Sequence, residues 1–502
     1  MMNKGKYVGF LFLIIAIGFI LRTYNLGTFS IWEDEKISIC IANGISRNNP
    51  LGSASVTQND ILQKNTIENV VSSTATDNGN SIAYNILLHT WSKTFGNSDG
   101  SIRFLSVLAS FLLLFVAAGF TNDLIGSRKV TLLSLLFIAF HSLLMAYSHQ
   151  ARAYALGSFF TLLSSWFFIK LFLIEKKPTR TFPYYAGYII FGALSLLTHY
   201  LTICIFIAHA IIILLFTKRN RSWLYFTLGG VSIGLLVGIW FYFGGLDGYR
   251  VLNSQNLRYA RDVVKFKPGE DTFIMPTSVR HVFTGIMQVW LQLFGNMMQL
   301  LKFRIREVAI TLLIPLSIIG IAWWRSKDPA VRRKILILVV LTFTQTLFAT
   351  FLAIKSGHCI SFQPLYSIFV VPYAMILLAY SFILLFNSDN RNIKGLAYGF
   401  FAIWIGIMCL SWYPVLTDKK MGKPARESNP YTRLAGMVSN SYSQGDTLVA
   451  PLPKDIYLLN LYLNSDKQVI QKTDSNVLKK FYLIRSQQKD TVMLMDMIKI
   501  QY

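Results

Sequence analysis

Charge is scarce in this sequence. Only 14% of its 502 residues are Asp, Glu, Lys or Arg, against about 25% in an ordinary soluble domain. A soluble fold of this length needs more polar surface than that. Acids are scarcest: 24 Asp and Glu stand against 48 Lys and Arg, a formal net charge of +24. Cysteine is almost missing. Cys40, Cys204, Cys359 and Cys409 form no Cys-x-x-Cys pair, which excludes the usual zinc and dithiol redox motifs. There is no internal repeat and no low-complexity tract, so solenoid and fibrous architectures are excluded as well. What remains is apolar: 53% hydrophobic, 14% aromatic and a mean hydropathy of +0.45. Lipid is the solvent these numbers imply. The basic surplus would suggest a nucleic-acid partner on a soluble protein; on a membrane protein it is the expected bias of cytoplasmic loops.

A span needs about 20 apolar residues. The first is Tyr7–Leu21, preceded by Lys4 and Lys6. Arg22 follows it and no small-residue cleavage site does, so it reads as a retained anchor rather than a signal peptide. Ten more apolar runs follow: Phe104–Phe120, Val130–Tyr147, Tyr154–Ile174, Tyr184–Leu197, Leu201–Phe216, Trp223–Phe243, Val308–Trp324, Ile335–Ile354, Leu365–Phe386 and Leu396–Trp412. The expected fold is a polytopic α-helical membrane protein of about eleven transmembrane helices.

The connections Gly126–Lys129, Glu175–Arg180, Lys218–Arg221, Arg325–Lys334 and Asn387–Lys394 alternate with the others, and each is net positive or holds a basic pair. They are therefore expected inside, with the N-terminus. This parity absorbs most of the positive charge as orientation, so no nucleic-acid partner is implied. Three large pieces fall outside: a first loop 23–103, a second loop 244–307, and the tail 413–502. Within the second loop, Val279–Leu301 would break the parity if it spanned and is expected as an interfacial helix. The tail has β-like runs at Asp446–Ala450, Gln468–Gln471 and Phe481–Ile484 around a helix-like Ile456–Leu463, a small α/β domain. Cys40 and Cys359 both fall in outer loops, and a disulfide between them is left open.

Function is sought in these loops. In Ile31-Trp-Glu-Asp-Glu-Lys, three consecutive acids, Glu33, Asp34 and Glu35, crowd near a span end, where desolvation and mutual repulsion oppose them. The bland alternative is a solvated acidic helix start. Asp77 opens the segment Asp77–Gly96 as a second acid or a turn residue. Tyr84 and His89 lie on the amphipathic helix after it, His89 reading more as a satisfied interfacial histidine than as a catalyst. Arg103 opens the second span, where it could only snorkel. Arg152 in Tyr147-Ser-His-Gln-Ala-Arg-Ala-Tyr is an outer-face cation, a candidate for anion binding, with Tyr154 beside it as a belt residue or a polar hand. His199 ends the fifth span at the same face, and Lys355 and His358 follow the ninth. Acids and bases thus gather on one side, which suits a charged lipid substrate: phosphate needs Arg or Lys, and an acceptor hydroxyl needs a carboxylate base.

The segments Trp32-Glu-Asp-Glu, Tyr84-Asn-Ile-Leu-Leu-His-Thr-Trp-Ser-Lys-Thr-Phe-Gly with Ser101-Ile-Arg-Phe-Leu-Ser, and Gln150-Ala-Arg-Ala-Tyr-Ala-Leu carry a resemblance. The sequence resembles the GT-C fold membrane glycosyltransferases, in the family-39-type branch of protein O-mannosyltransferases and aminoarabinose lipid A transferases. The match is specific over about the first 200 residues and weak after that. The resemblance implies transfer of a sugar from a polyprenyl-phosphate carrier to an acceptor on the outer face. It makes Asp34 the general base, puts Glu35 beside it as orienter or substrate ligand, and sets Arg152 near the carrier phosphate. Two stretches depart from the family's pattern. Asn80-Ser-Ile-Ala-Tyr replaces a proline-containing start, which leaves acceptor contacts open. Ser356-Gly-His-Cys replaces an Arg-Tyr pair after the ninth span; with His358 there, phosphate binding would be weaker or pH-dependent.

The expected activity is therefore an inverting glycosyl transfer at the outer face of a cell inner (plasma) membrane. The donor is a polyprenyl-phosphate sugar and the acceptor a protein, lipid A or glycan hydroxyl. Asp34 and Glu35 are the catalytic candidates; Arg152, Tyr154, Lys355 and His358 are assigned to the donor; Asp77, Tyr84, His89, Arg103 and His199 are candidates for the acceptor or for support. No cofactor is required. A divalent metal lacks a ligand spacing in its favour, although Asp34, Glu35 and His89 are a set that could meet. The main rival is a lipid or solute transporter, which would put its charges near the membrane midplane, where the spans have almost none.

Overall fold

The computed structural model describes residues 3–27, 31, 33–45, 65–174, 180–217, 221–265, 275–295, 305–416, 430–451, 453–460, 462–463, 469–474, 476, 482–485 and 491–493. Trp32 lies outside them. Among these residues, seven helices are long and apolar enough to cross a membrane, or eight if the bent pair Arg128–Ala139 and Ser142–Ser148 is one span. The shorter apolar helices Phe182–Thr198, Tyr200–Phe216 and Leu312–Arg325 overlap three more of the expected runs without reaching the length of a span. The chain is a multi-pass helical membrane protein.

Local chemistry sets the ends of these helices. Ser98, Ser127 and Asp328 cap helices by accepting backbone amides of Ser101, Val130 and Ala330. Gly126 and Gly357 end the helices Asp99–Ile125 and Pro329–Ser356 in the left-handed conformation, φ 76° and 75°, which a side chain would resist. Gly357 thereby turns the chain into the segment carrying His358. One apolar cluster runs through the bundle and includes Ile15, Leu114, Leu162, Ile212, Leu338 and Met375.

The first helix, Lys4–Thr23, is part of this bundle. Its Arg22 is fully buried, and the guanidinium donates to Ser110 Oγ and to the carbonyls of Gly18, Ala139 and Ile138 at 2.8 to 3.4 Å. The last two carbonyls lie where the third span bends by 53° between Ala139 and Ser142. A break of that kind leaves backbone acceptors short of helical donors; Arg22 donates to Ala139, and to Ile138 alongside the His141 amide.

Two faces result. At one, Arg128 lies over the Tyr7 ring, Arg333 over Phe216, and Lys334 Nζ donates to the carbonyl of Ile125. Described residues of the connections 126–129 and 325–334 meet there. At the other gather the short helix Glu33–Ala42, the segment 149–153, His199 and the stretch 357–366. The helix expected at Val279–Leu301 is Val279–Phe294; residues 296–304 lie outside the described set. It does not simply lie on a surface: Val289, Leu293 and Phe294 join the bundle core, and Trp404 Nε1 donates to the carbonyl of Phe294 at 2.7 Å. In its C-terminal half Val289, Leu291, Gln292, Leu293 and Phe294 are all buried, so this end turns inward.

The tail folds as a four-stranded sheet, order β2-β1-β3-β4, from β1 (Thr447–Ala450), β2 (Ile470–Thr473), β3 (Tyr482–Ile484) and β4 (Thr491–Met493). β1 and β2 are parallel, joined through the helix Pro453–Asn460; β3 runs antiparallel to both β1 and β4. The three expected strands fall on β1, β2 and β3. β4 and the helix Pro430–Ser441 are additions. Tyr431, Leu434, Tyr457 and Leu458 of this domain share one apolar cluster with Ile39, Cys40, Tyr84 and Leu88 of the first loop. The domain therefore sits directly on the helix Glu33–Ala42. Cys40 and Cys359 are both buried and are not joined to each other by a disulfide.

Candidate active site

Consecutive residues of an α-helix point about 100° apart, and the neighbours Asp34 and Glu35 meet different surroundings. Glu35 is fully buried. Its carboxylate accepts from Arg103 Nε at 2.8 Å and Nη2 at 3.0 Å, and from the Ala151 backbone amide at 2.8 Å. Arg103 is 1% exposed and also donates to the carbonyl of Leu26 at 3.0 Å. Both charges are spent within the protein, and the pair ties the helix Glu33–Ala42 to the second span and to the segment 149–153.

Asp34 keeps a side chain 34% exposed, and Arg152 one 23% exposed. Arg152 Nη1 donates to the Asp34 carbonyl at 3.1 Å and to Ser38 Oγ at 2.9 Å; Nη2 donates to the Tyr154 hydroxyl at 3.4 Å and lies 4.0 Å from Asp34 Oδ2. The guanidinium also stands 5.5 Å from the Tyr154 ring centroid. Its Nε is buried and has no partner among the described residues. Arg152 is thus held in place by neutral acceptors, with its charge only loosely matched by Asp34.

Aromatic rings line this pair. Tyr147 meets Tyr154 edge-on at 5.1 Å; Tyr154 lies 5.6 Å from His199; His199 lies 5.7 Å from Tyr366 and 5.1 Å from Phe369. Tyr366 is within electrostatic reach of Tyr154, Arg152, Tyr259 and Asp34. Tyr259, on the helix Leu246–Asp262, meets His358 edge-on at 5.8 Å. Burial, helped by the charge of Arg152, pushes the pKa of His199 down to about 3. Burial, then the charges of Arg103 and Arg22, brings His149 down to about 4. Both imidazoles are neutral at ordinary pH.

The structure therefore brings Asp34, Glu35, Arg103, Arg152, Tyr154 and His199 together. Tyr84 supports them from below: it is fully buried, with its hydroxyl 3.4 Å from Ser106 Oγ, which donates to the Arg152 carbonyl. His358 stands at the rim, 3% exposed, and neither ring nitrogen has a partner among the described residues; burial lowers its pKa. Lys355 is exposed on the last turn of its helix. His89 lies away from the acids. Its Nδ1 bonds the carbonyl of Ala42 at 2.9 Å, at the opposite end of the helix from Asp34, so the two do not meet around a cation. Among the described residues no three His, Cys, Asp or Glu side chains are grouped as a metal site. Asp77 closes the helix Ile67–Asp77 beside the turn at Gly79. Tyr147, Tyr259 and Tyr366 are wall residues that the sequence reading did not select; the Tyr at the head of the 147–154 segment was the one available signal.

No known family profile matches the sequence, and no curated protein matches it. Solved structures do. The chain is similar to ArnT from Cupriavidus metallidurans in the apo state, with a TM-score of 0.56 and 12% identity over 92% of this chain and 86% of that one. It is equally similar to the same protein bound to undecaprenyl phosphate, at 0.56 and 12%, over 92% and 85%. The oligosaccharyltransferase of Archaeoglobus fulgidus in the apo form gives 0.50 and 12%, over 93% of this chain and 61% of that one. The fold is the GT-C membrane-transferase fold.

Proposed function

We propose that this chain is a polyprenyl-phosphate-dependent glycosyltransferase of the outer face of a cell inner membrane, with its N-terminus cytoplasmic and its tail domain outside. The observation that carries the reading is the pairing of Asp34 with Arg152. A partly exposed carboxylate stands beside a cation whose hydrogen bonds go to neutral groups, under a wall of tyrosines. The fold shared with ArnT, seen with undecaprenyl phosphate bound, supports the donor class.

In this reading the carrier phosphate lies against Arg152 and Tyr154, with the lipid tail between spans. Asp34 accepts the proton of an acceptor hydroxyl. The hydroxyl oxygen bonds to the anomeric carbon as the bond from that carbon to the carrier phosphate breaks, and the phosphate departs with the electron pair. Its new charge is met by Arg152, so no acid proton is needed. Attack opposite the leaving group inverts the anomeric centre. Glu35 is a positioning residue, because both its oxygens are engaged by Arg103 and Ala151.

The test is sugar release from a panel of radiolabelled polyprenyl-phosphate sugars by purified protein in detergent with membrane extract. Transfer that collapses in Asp34→Asn supports the reading. Absence of transfer from every donor by well-folded wild type overturns it.

A further inference from the structure

His199 closes the fifth span and stands between Tyr154, Tyr366 and Phe369. The backbone amide of Leu201 donates to its Nδ1 at 3.2 Å, so the ring caps the short turn Tyr200–Thr202. A nitrogen that accepts a hydrogen bond carries no proton. The neutral ring must then carry its proton on Nε2. Among the described residues Nε2 has no partner, while Tyr154, packed against the ring, is bonded to Arg152. Only 5% of the residue is exposed, so the ring has little freedom to turn.

We infer that His199 is a further binding residue for the donor: its fixed Nε2–H donates to a phosphate oxygen of the lipid carrier, beside the Arg152 guanidinium. This rests on the donor class proposed above. The division of labour is physical. A second cation next to Arg152 would repel it, whereas a neutral, pre-oriented donor adds a hydrogen bond to the anion with no such penalty. The nearby positive charge also keeps the ring from taking a second proton, so the donor is present throughout the working pH range.

Two substitutions separate this role from the capping role. In His199→Asn the amide oxygen occupies the place of Nδ1 and can still accept from Leu201, but nothing reaches the place of Nε2. In His199→Gln an amide nitrogen reaches that place. Undecaprenyl phosphate is titrated onto wild type and both variants in detergent, with thermal melting recorded for each. The expected result is that His199→Asn melts like wild type but binds about tenfold or more weakly, the effect of one hydrogen bond to a charged group, and that His199→Gln recovers much of the loss. Wild-type affinity in a folded His199→Asn overturns the inference and leaves the donor class standing. A lower melting temperature with unchanged affinity overturns it too, since the cap alone would then account for the residue. Failure of wild type to bind undecaprenyl phosphate overturns the inference and the donor class together.

Discussion

Glu35 and Arg103 form a bidentate ion pair with neither side chain open to solvent. It sits one residue away from the partly exposed Asp34. The pair holds the helix Glu33–Ala42 against the second span, and the consequences of removing either partner follow from burial. Glu35→Ala or Arg103→Ala leaves an uncompensated charge in the interior, which should lower stability by about 3–5 kcal/mol. Thermal melting in detergent, monitored alongside transfer, should show activity falling with the folded fraction.

Asp34→Asn should behave in the opposite way. Its side chain makes no buried ion pair, so melting should stay close to wild type. Turnover should fall by about 10²–10⁴-fold, the worth of a general base. Single-turnover transfer at saturating donor is the appropriate measurement, and near-wild-type rates would remove Asp34 from the chemistry.

How far the sequence revealed this site depended on the kind of residue. Asp34 and Arg152 were legible because charge is scarce and the positive-inside bias makes an outer arginine unusual. Only the family resemblance told Asp34 from Glu35; the residues alone could not, since their difference is a helical rotation relative to partners 68 and 116 residues away. Tyr259 and Tyr366 left no trace, and Tyr147 only its place at the head of the Arg152 segment, because tyrosine is ordinary at membrane boundaries and these three converge from distant connections. The tail strands were legible from alternation, but the docking of Tyr431 over Lys36, 5.2 Å from ring centroid to Nζ, is a tertiary contact with no local pattern.

Arg152→Lys should separate charge from shape. Lysine keeps the cation but cannot reproduce the fork that reaches Ser38, the Asp34 carbonyl and Tyr154 together. Undecaprenyl phosphate affinity should fall in Arg152→Lys and fall further in Arg152→Ala, by about 10–100-fold for loss of charge-assisted bonds. Equilibrium titration of the two variants against wild type checks the order.

Acid should destabilise the fold. His199 and His149 bind protons less readily when folded, at about 3 and about 4, than at the ordinary value near 6.5. Below that value the unfolded chain takes up more protons, so their contribution to stability is complete above about pH 6.5 and declines as pH falls toward 3 to 4. Melting temperature should drop over that window, and the slope should be shallower in His199→Asn.

Tyr431→Ala should loosen the helix Glu33–Ala42 from above. Tyr431 is fully buried, bonds Asp455 at 2.7 Å and carries Lys36 over its ring. A cavity of that size lowers stability by about 3–5 kcal/mol. Hydrogen exchange should rise across residues 33–42 as well as in the tail domain, which ties the tail to the site.

Arg22 also constrains the order in which the chain is assembled. Its carbonyl partners Ile138 and Ala139 are synthesised 116 and 117 residues later. Until they arrive, the guanidinium has no acceptors outside its own helix other than Ser110 and water. A charge in hydrocarbon is costly, but Arg22 lies in the last turn of its span and can reach the aqueous boundary. The first helix can therefore enter the bilayer early and wait with its arginine at the water's edge. Its full set of acceptors exists only once the third span brings its bend, so the break in one helix serves to fasten another.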